Sequence, residues 1–168
     1  MRWRKEGLKL QCSARPAADR KNVPTPTLPG EHNWQNAAAA YATARSLGLP
    51  GEGIAAAMTS YPGLAHRQER VGVIDGVTYV NDSKATNADA AIRALACYET
   101  VYWIAGGLAK EGGLAGVAPY LPHVRHAFLI GDAMESFAEV LTGQVALTRS
   151  GSLAAAVAQA REAALRDN

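Results

Sequence analysis

Val71-Gly72-Val73-Ile74-Asp75-Gly76-Val77-Thr78-Tyr79-Val80 runs directly into Asn81-Asp82-Ser83-Lys84-Ala85-Thr86-Asn87. Two β-rich runs meet at Asp75-Gly76, a residue pair that accepts the positive φ angles of a two-residue hairpin turn. The polar segment ends at Asn87, whose side chain suits the N-cap of a following helix, expected from about Ala88 to Cys97. Downstream the pattern alternates. Val101 to Ala105 reads as a short buried strand closed by Gly106-Gly107, and Ala127 to Ile130 as a second, closed by Gly131-Asp132. A helix is expected from about Ala133 to Leu141, a strand at Val145-Ala146-Leu147, and an Ala-rich helix from Ser152 to about Leu165. Such alternation predicts an α/β fold, a mainly parallel sheet with helices on both faces and the antiparallel hairpin at one side.

Upstream the texture is helical. An Ala-rich run from Trp34 to Leu47 stops at Gly48-Leu49-Pro50-Gly51, and a shorter helix is expected over Gly53 to Ser60. Residues 1–27 carry seven Lys or Arg against two acids, in a chain whose formal charge is only +2, so a basic and irregular leader precedes a mildly acidic body. The leader has neither aromatic interleaving nor amphipathic period, so neither a nucleic-acid nor a membrane partner is read from it. No secretory signal or membrane span is visible, and a cytoplasmic protein is the simplest expectation. Cys12 and Cys97 share no metal or redox spacing. The 168 residues contain no G-x-x-x-x-G-K-[ST] phosphate loop, no G-x-S-x-G elbow and no clustered metal-ligand set, so no metal residue is assigned.

In open α/β sheets, ligands collect at the carboxyl ends of strands. Asn81 to Asn87 places an anion, a cation, two hydroxyls and amides between a strand and a helix start. The turn's N–H groups and Lys84 suit an anionic guest, and Asp82 suits a sugar hydroxyl or the orientation of a neighbour. A plain surface loop has the same composition. Gly106 to Gly113 offers close backbone approach and Lys110, or a solvated turn. Gly131-Asp132-Ala133 reads as a strand-to-helix turn with an N-cap. Leu28 to Asn36 puts His32, Asn33 and Asn36 at a helix entry, and Gly63-Leu64-Ala65-His66-Arg67 sets a cation beside an imidazole.

The strings L-P-G-E-H-N-W-Q-N-A at 28–37, G-L-A-H-R-Q-E at 63–69, N-D-S-K-A-T-N at 81–87 and A-G-G-L-A-K at 105–110 occur in order. Together they resemble the Mur ligase family, and within it the branch whose incoming amino acid is D-glutamate. The resemblance covers about residues 28–168. It implies that 28–60 form the helical end of a central ATPase domain and 61–168 a carboxy-terminal Rossmann-like domain. It also implies an ATP- and Mg²⁺-dependent, ADP-forming amide ligase of peptidoglycan synthesis that joins D-glutamate to UDP-N-acetylmuramoyl-L-alanine through an acyl phosphate. Carried over by position, Asn33, Asn36, Arg67 and Asp82 would contact nucleotide, Lys84 and His66 would serve catalysis, and Ser83, Thr86 and Lys110 would hold substrate.

The family's phosphate loop and Mg²⁺ acids have no counterpart in these residues, and Ala65 and Gly113 stand where proline and aspartate are usual. An inactive fragment is therefore expected, with marginal stability or self-association through truncated edges. Two alternatives are a related Mur or folylpolyglutamate-type ligase and a noncatalytic Rossmann-like binding module.

Overall fold

The computed structural model describes residues 3–6, 9–12, 23–25, 27–108 and 112–167. Contacts divide the chain into two units, residues 1–62 and 63–168.

In the first unit, strands β1 (Trp3–Glu6) and β2 (Lys9–Cys12) pair antiparallel from Trp3↔Cys12 to Glu6↔Lys9. An irregular leader was expected, so these eight residues are a correction. Backbone pairing of two short segments needs no apolar alternation, the signal the sequence lacks. Helix α1 (Glu31–Ser46) and helix α2 (Gly51–Ser60) follow. Ala37 and Ala38 are buried on α1 and Ile54 on α2.

The second unit begins with a hairpin. Strands β3 (Glu69–Ile74) and β4 (Val77–Asn81) pair antiparallel, with Ile74 opposite Val77. Asp75 and Gly76 have φ of 52° and 80°, the left-handed pair that the Asp-Gly signature predicts. Helix α3 (Ala88–Leu95) starts where expected, with the Asn87 side chain accepting the Ala90 N–H at 2.9 Å. Strands β5 (Val101–Gly106), β6 (Val124–Ile130) and β7 (Leu147–Gly151) form a parallel sheet in the order β5-β6-β7. Helix α4 (Met134–Leu141) lies between β6 and β7, and helix α5 (Leu153–Arg166) follows β7, capped by Ser152.

Alternation along β6 sorts the core into two layers, because successive side chains leave opposite faces of a strand. Ala127 and Leu129 pack with Ala105, Leu95, Ala138 and Leu141 on one face. Phe128 packs with Ala156 and Ala160 of α5 on the other. Helices thus cover both faces, as a parallel sheet requires.

Three details depart from expectation. The hairpin forms its own two-stranded sheet and does not hydrogen-bond to the parallel one. The connection from β5 to β6 carries a 3₁₀ helix (Ala118–His123) rather than an α-helix, since Pro122 lacks the N–H that would extend it. The last strand lies at 147–151 instead of 145–147, because the amides of Gln144 and Val145 bond back to Leu141 at the end of α4. Its polar residues fit a strand paired on one side only, where Arg149 reaches both carboxylate oxygens of Glu135 at 2.9 and 3.1 Å.

Gly106 is a packing requirement. Its φ is 148°, and an added Cβ would lie 1.9 Å from the Ile130 carbonyl oxygen on the neighbouring strand. Gly106→Ala is expected to cost about 3 kcal/mol or more in urea unfolding, since backbone must move to accommodate the methyl group.

His126, stacked on Phe128 with ring centroids 4.5 Å apart, has its pKa lowered by burial and then by the Arg166 charge. The unfolded chain therefore binds this proton more readily than the native one. Stability contributed here is complete above the unfolded value near 6.5 and falls as pH drops through the lower folded value. Melting curves of the parent and His126→Phe, compared between neutral and mildly acidic buffer, should show less acid destabilisation in the variant.

Candidate functional site at two interlocked loops

The segment 64–69, which leads into β3, and the segment 81–87, which leaves β4, meet at the open end of the hairpin. The Lys84 N–H donates to the His66 carbonyl at 3.0 Å. The Gln68 N–H donates to Asp82 Oδ1 at 3.0 Å. Asn81 Nδ2 lies 2.9 Å from His66 Nδ1, and Glu69 Oε2 accepts the His66 N–H at 2.8 Å. His66 and Gln68 adopt φ of 64° and 46°. Left-handed backbone at non-glycine residues costs about 1–3 kcal/mol each and persists only where surrounding bonds impose it. Here Asp82, Asn81 and Glu69 supply those bonds.

Side chains of His66, Arg67, Ser83, Lys84 and Thr86 are exposed around this junction, and Asp82 is half-buried. In the loop ahead of α3 the backbone amides of residues 83–86 are already engaged, and at the start of α3 the Asn87 side chain caps the Ala90 amide. The Ser83 N–H is taken by Asn81 Oδ1 at 3.1 Å, Lys84 by His66, Ala85 by the Asp82 carbonyl at 2.8 Å and Thr86 by the Lys84 carbonyl at 2.9 Å. In this loop, attraction for an anion comes from the Arg67 and Lys84 side chains. β4 also belongs to the hairpin, so 81–87 does not sit at a parallel strand end.

Beneath the junction, Gln68 is buried at 7% exposure and its Oε1 has no hydrogen-bond partner among the described residues. Burial pushes the neighbouring Cys97 thiol up, the Gln68 amide opposes this, and the Asp82 charge adds to it. Cys97 is accordingly a thiol that resists ionisation. Sequence reasoning assigned no role to Gln68, Glu69 or Asn81. Gln68 carries no periodic apolar signal, and the other two are ordinary surface residue types.

In the first unit, Asn33 is buried and its Nδ2 donates to the Pro29 carbonyl at 2.7 Å, which ties the chain entry to α1. Asn36, one turn later, is exposed, and His32 is half-buried. Lys110 lies outside the described residues. At the ends of the parallel strands, Gly107 N–H donates to the Ile130 carbonyl and Ala133 N–H to the Gly107 carbonyl. The turn at 131–133 is present, but α4 has no side-chain cap there. Among the described residues, no group of three or more His, Cys, Asp and Glu is placed to hold a metal, and no helix is long and apolar enough to cross a membrane.

Fold and site define a Rossmann-like α/β domain carrying two exposed cations on interlocked loops. Residues 66–168 match the family model described as Mur ligase, glutamate ligase domain. The chain belongs to the Mur ligase family. It is 54% identical over 163 residues to the UDP-N-acetylmuramoylalanine–D-glutamate ligase of Paramagnetospirillum magneticum, covering 97% of this chain and 35% of the relative. Identity to the ligase of the same name from Rhodospirillum rubrum is 57% over 141 residues, covering 84% and 30%. The chain spans about a third of the length of these relatives. The crystal structure of the UDP-N-acetylmuramate–alanine ligase MurC from Thermotoga maritima shares the fold, with TM-score 0.58, 15% identity and coverage of 83% of this chain and 39% of that one.

Asp82→Ala should lower the unfolding free energy by about 1–2 kcal/mol, because the Gln68 amide loses a charged acceptor in a half-buried place. Native-state hydrogen exchange at Gln68 should accelerate in parallel, and Asp82→Asn, which keeps an acceptor oxygen, should retain most of the protection.

Proposed function

We propose that this chain forms the amino-acid-docking part of a ligase that joins D-glutamate to UDP-N-acetylmuramoyl-L-alanine in peptidoglycan synthesis. The single observation that carries the reading is the loop junction, where Lys84 and Arg67 stay exposed on backbone whose own amides are already spent. Such a surface is selective for negatively charged groups through its side chains alone. Identity above 50% to relatives named for this reaction supports the choice of D-glutamate.

In this reading, residues 28–60 end the central ATPase domain and 61–168 belong to the carboxy-terminal domain. ATP phosphorylates the muramoyl-alanine carboxylate with release of ADP. The D-glutamate amine attacks the resulting acyl phosphate, and phosphate leaves as the amide forms. Lys84 neutralises charge at the acyl phosphate, and His66 beside it donates a hydrogen bond. Ser83, Thr86 and Lys110 hold the D-glutamate carboxylates. Arg67 faces nucleotide phosphate, and Asp82 holds the Gln68 backbone beside it. The exposed cations fit an anionic nucleotide. Mg²⁺ has no such fit among the described residues, and no step here passes through it. With no phosphate loop in these 168 residues, ATP turnover by this chain alone is not expected. A UDP-linked substrate and ATP point to the cytoplasm.

Titration with D-glutamate, followed by amide NMR, should shift resonances of residues 81–87 more than L-glutamate or L-alanine does. Lys84→Met should weaken that response about tenfold or more, the equivalent of a lost charge-assisted hydrogen bond. Equal responses to all three amino acids would remove D-glutamate from the reading, and a stronger response to L-alanine would favour a different member of the family.

A further inference from the structure

We propose that Asn81 is a positioning residue that holds neutral His66 in the tautomer with its proton on Nε2, so that His66 meets its ligand as a hydrogen-bond donor. Asn81 Oδ1 accepts the Ser83 backbone N–H at 3.1 Å, and a backbone N–H can only donate. That bond identifies which end of the Asn81 side chain is oxygen. Nδ2 is therefore the atom 2.9 Å from His66 Nδ1, and an amide nitrogen can only donate. His66 Nδ1 must accept, which leaves the ring proton on Nε2.

The nearby carboxylate does not reverse this. Glu69 Oε2 lies 3.9 Å from His66 Nδ1, beyond hydrogen-bond reach, and already accepts the His66 backbone N–H at 2.8 Å. The same oxygen sits 3.5 Å from Asn81 Nδ2, so it supports the amide orientation. Nε2 makes no hydrogen bond among the described residues, and the His66 side chain is 57% exposed. The left-handed backbone of His66 is held separately, by Glu69 Oε2 on its N–H and by the Lys84 N–H on its carbonyl, so the ring starts from a fixed position.

A ring nitrogen that carries a proton cannot abstract one. His66 thus presents a neutral N–H, next in sequence to the Arg67 guanidinium, to an anionic oxygen of a phosphate or carboxylate. The tautomer is independent of the D-glutamate reading, and only the identity of the anion rests on it. The test therefore uses the unliganded chain. Long-range ¹H–¹⁵N correlation spectra in mildly alkaline buffer, with His66 assigned by loss of its signals in His66→Gln, should show an unprotonated Nδ1 and a protonated Nε2. Asn81→Asp, which replaces the donor by an acceptor, should move the proton to Nδ1. Asn81→Ala should give the averaged pattern of a free imidazole. A protonated Nδ1 or an averaged pattern in the parent chain overturns the proposal. A parent pattern that survives both substitutions overturns the part assigned to Asn81. Should either variant fail to fold, the parent spectrum still decides the tautomer.

Discussion

A parallel strand buried on both faces is the constraint from which the second unit follows. Ala127, Phe128 and Leu129 of β6 are each at most 3% exposed, so apolar cover is needed above and below the same three residues. The α3 and α4 helices with the 3₁₀ segment supply one layer and α5 the other. Small residues on α5, Ala156 and Ala160, let the helix approach the sheet closely enough to exclude water from Phe128. Remove either layer and the sheet exposes a continuous apolar face, which no local hydrogen bond offsets.

The hairpin is held to this body by different means. Arg161 of α5 reaches Asp75 in the hairpin turn at 2.7 Å, though both groups are about half exposed and such a pair contributes little in water. At the other end of the hairpin, Gln68 and Asp82 lie against Cys97, just beyond α3. The buried polar contact there is the more consequential of the two. Its low-dielectric setting strengthens the bonds that are made and penalises the Gln68 oxygen that makes none. A hairpin anchored at its open end holds the loop pair steady while its exposed Val71, Val73 and Ile74 contribute nothing to the core.

Stability and chemistry meet at residues 66–68. Backbone strain at His66 and Gln68 is sustained by Asp82, Asn81 and Glu69, and Arg67 between them stays exposed. Several polar side chains at this junction thus act as scaffolding, and the groups left for a ligand are two cations, a histidine N–H and hydroxyls. The same division holds at the start of α1, where Asn33 is a structural donor and Asn36 faces outward.

The hairpin turn, the Asn87 cap, the Gly-terminated strands and the alternation of strand and helix were legible in the amino-acid sequence, because each depends on neighbours within a few residues. So was the Mur family likeness, carried by four short strings in fixed order. Tertiary structure decided the rest. Whether the hairpin joined the parallel sheet, where β7 began behind the end of α4, and which amides in 81–87 were already spent all depended on partners far along the chain. A residue's type states what it can donate or accept. Only the fold states which of those capacities is already used, as at Asp82, which accepts the Gln68 N–H, and at Asn33, which donates to the Pro29 carbonyl.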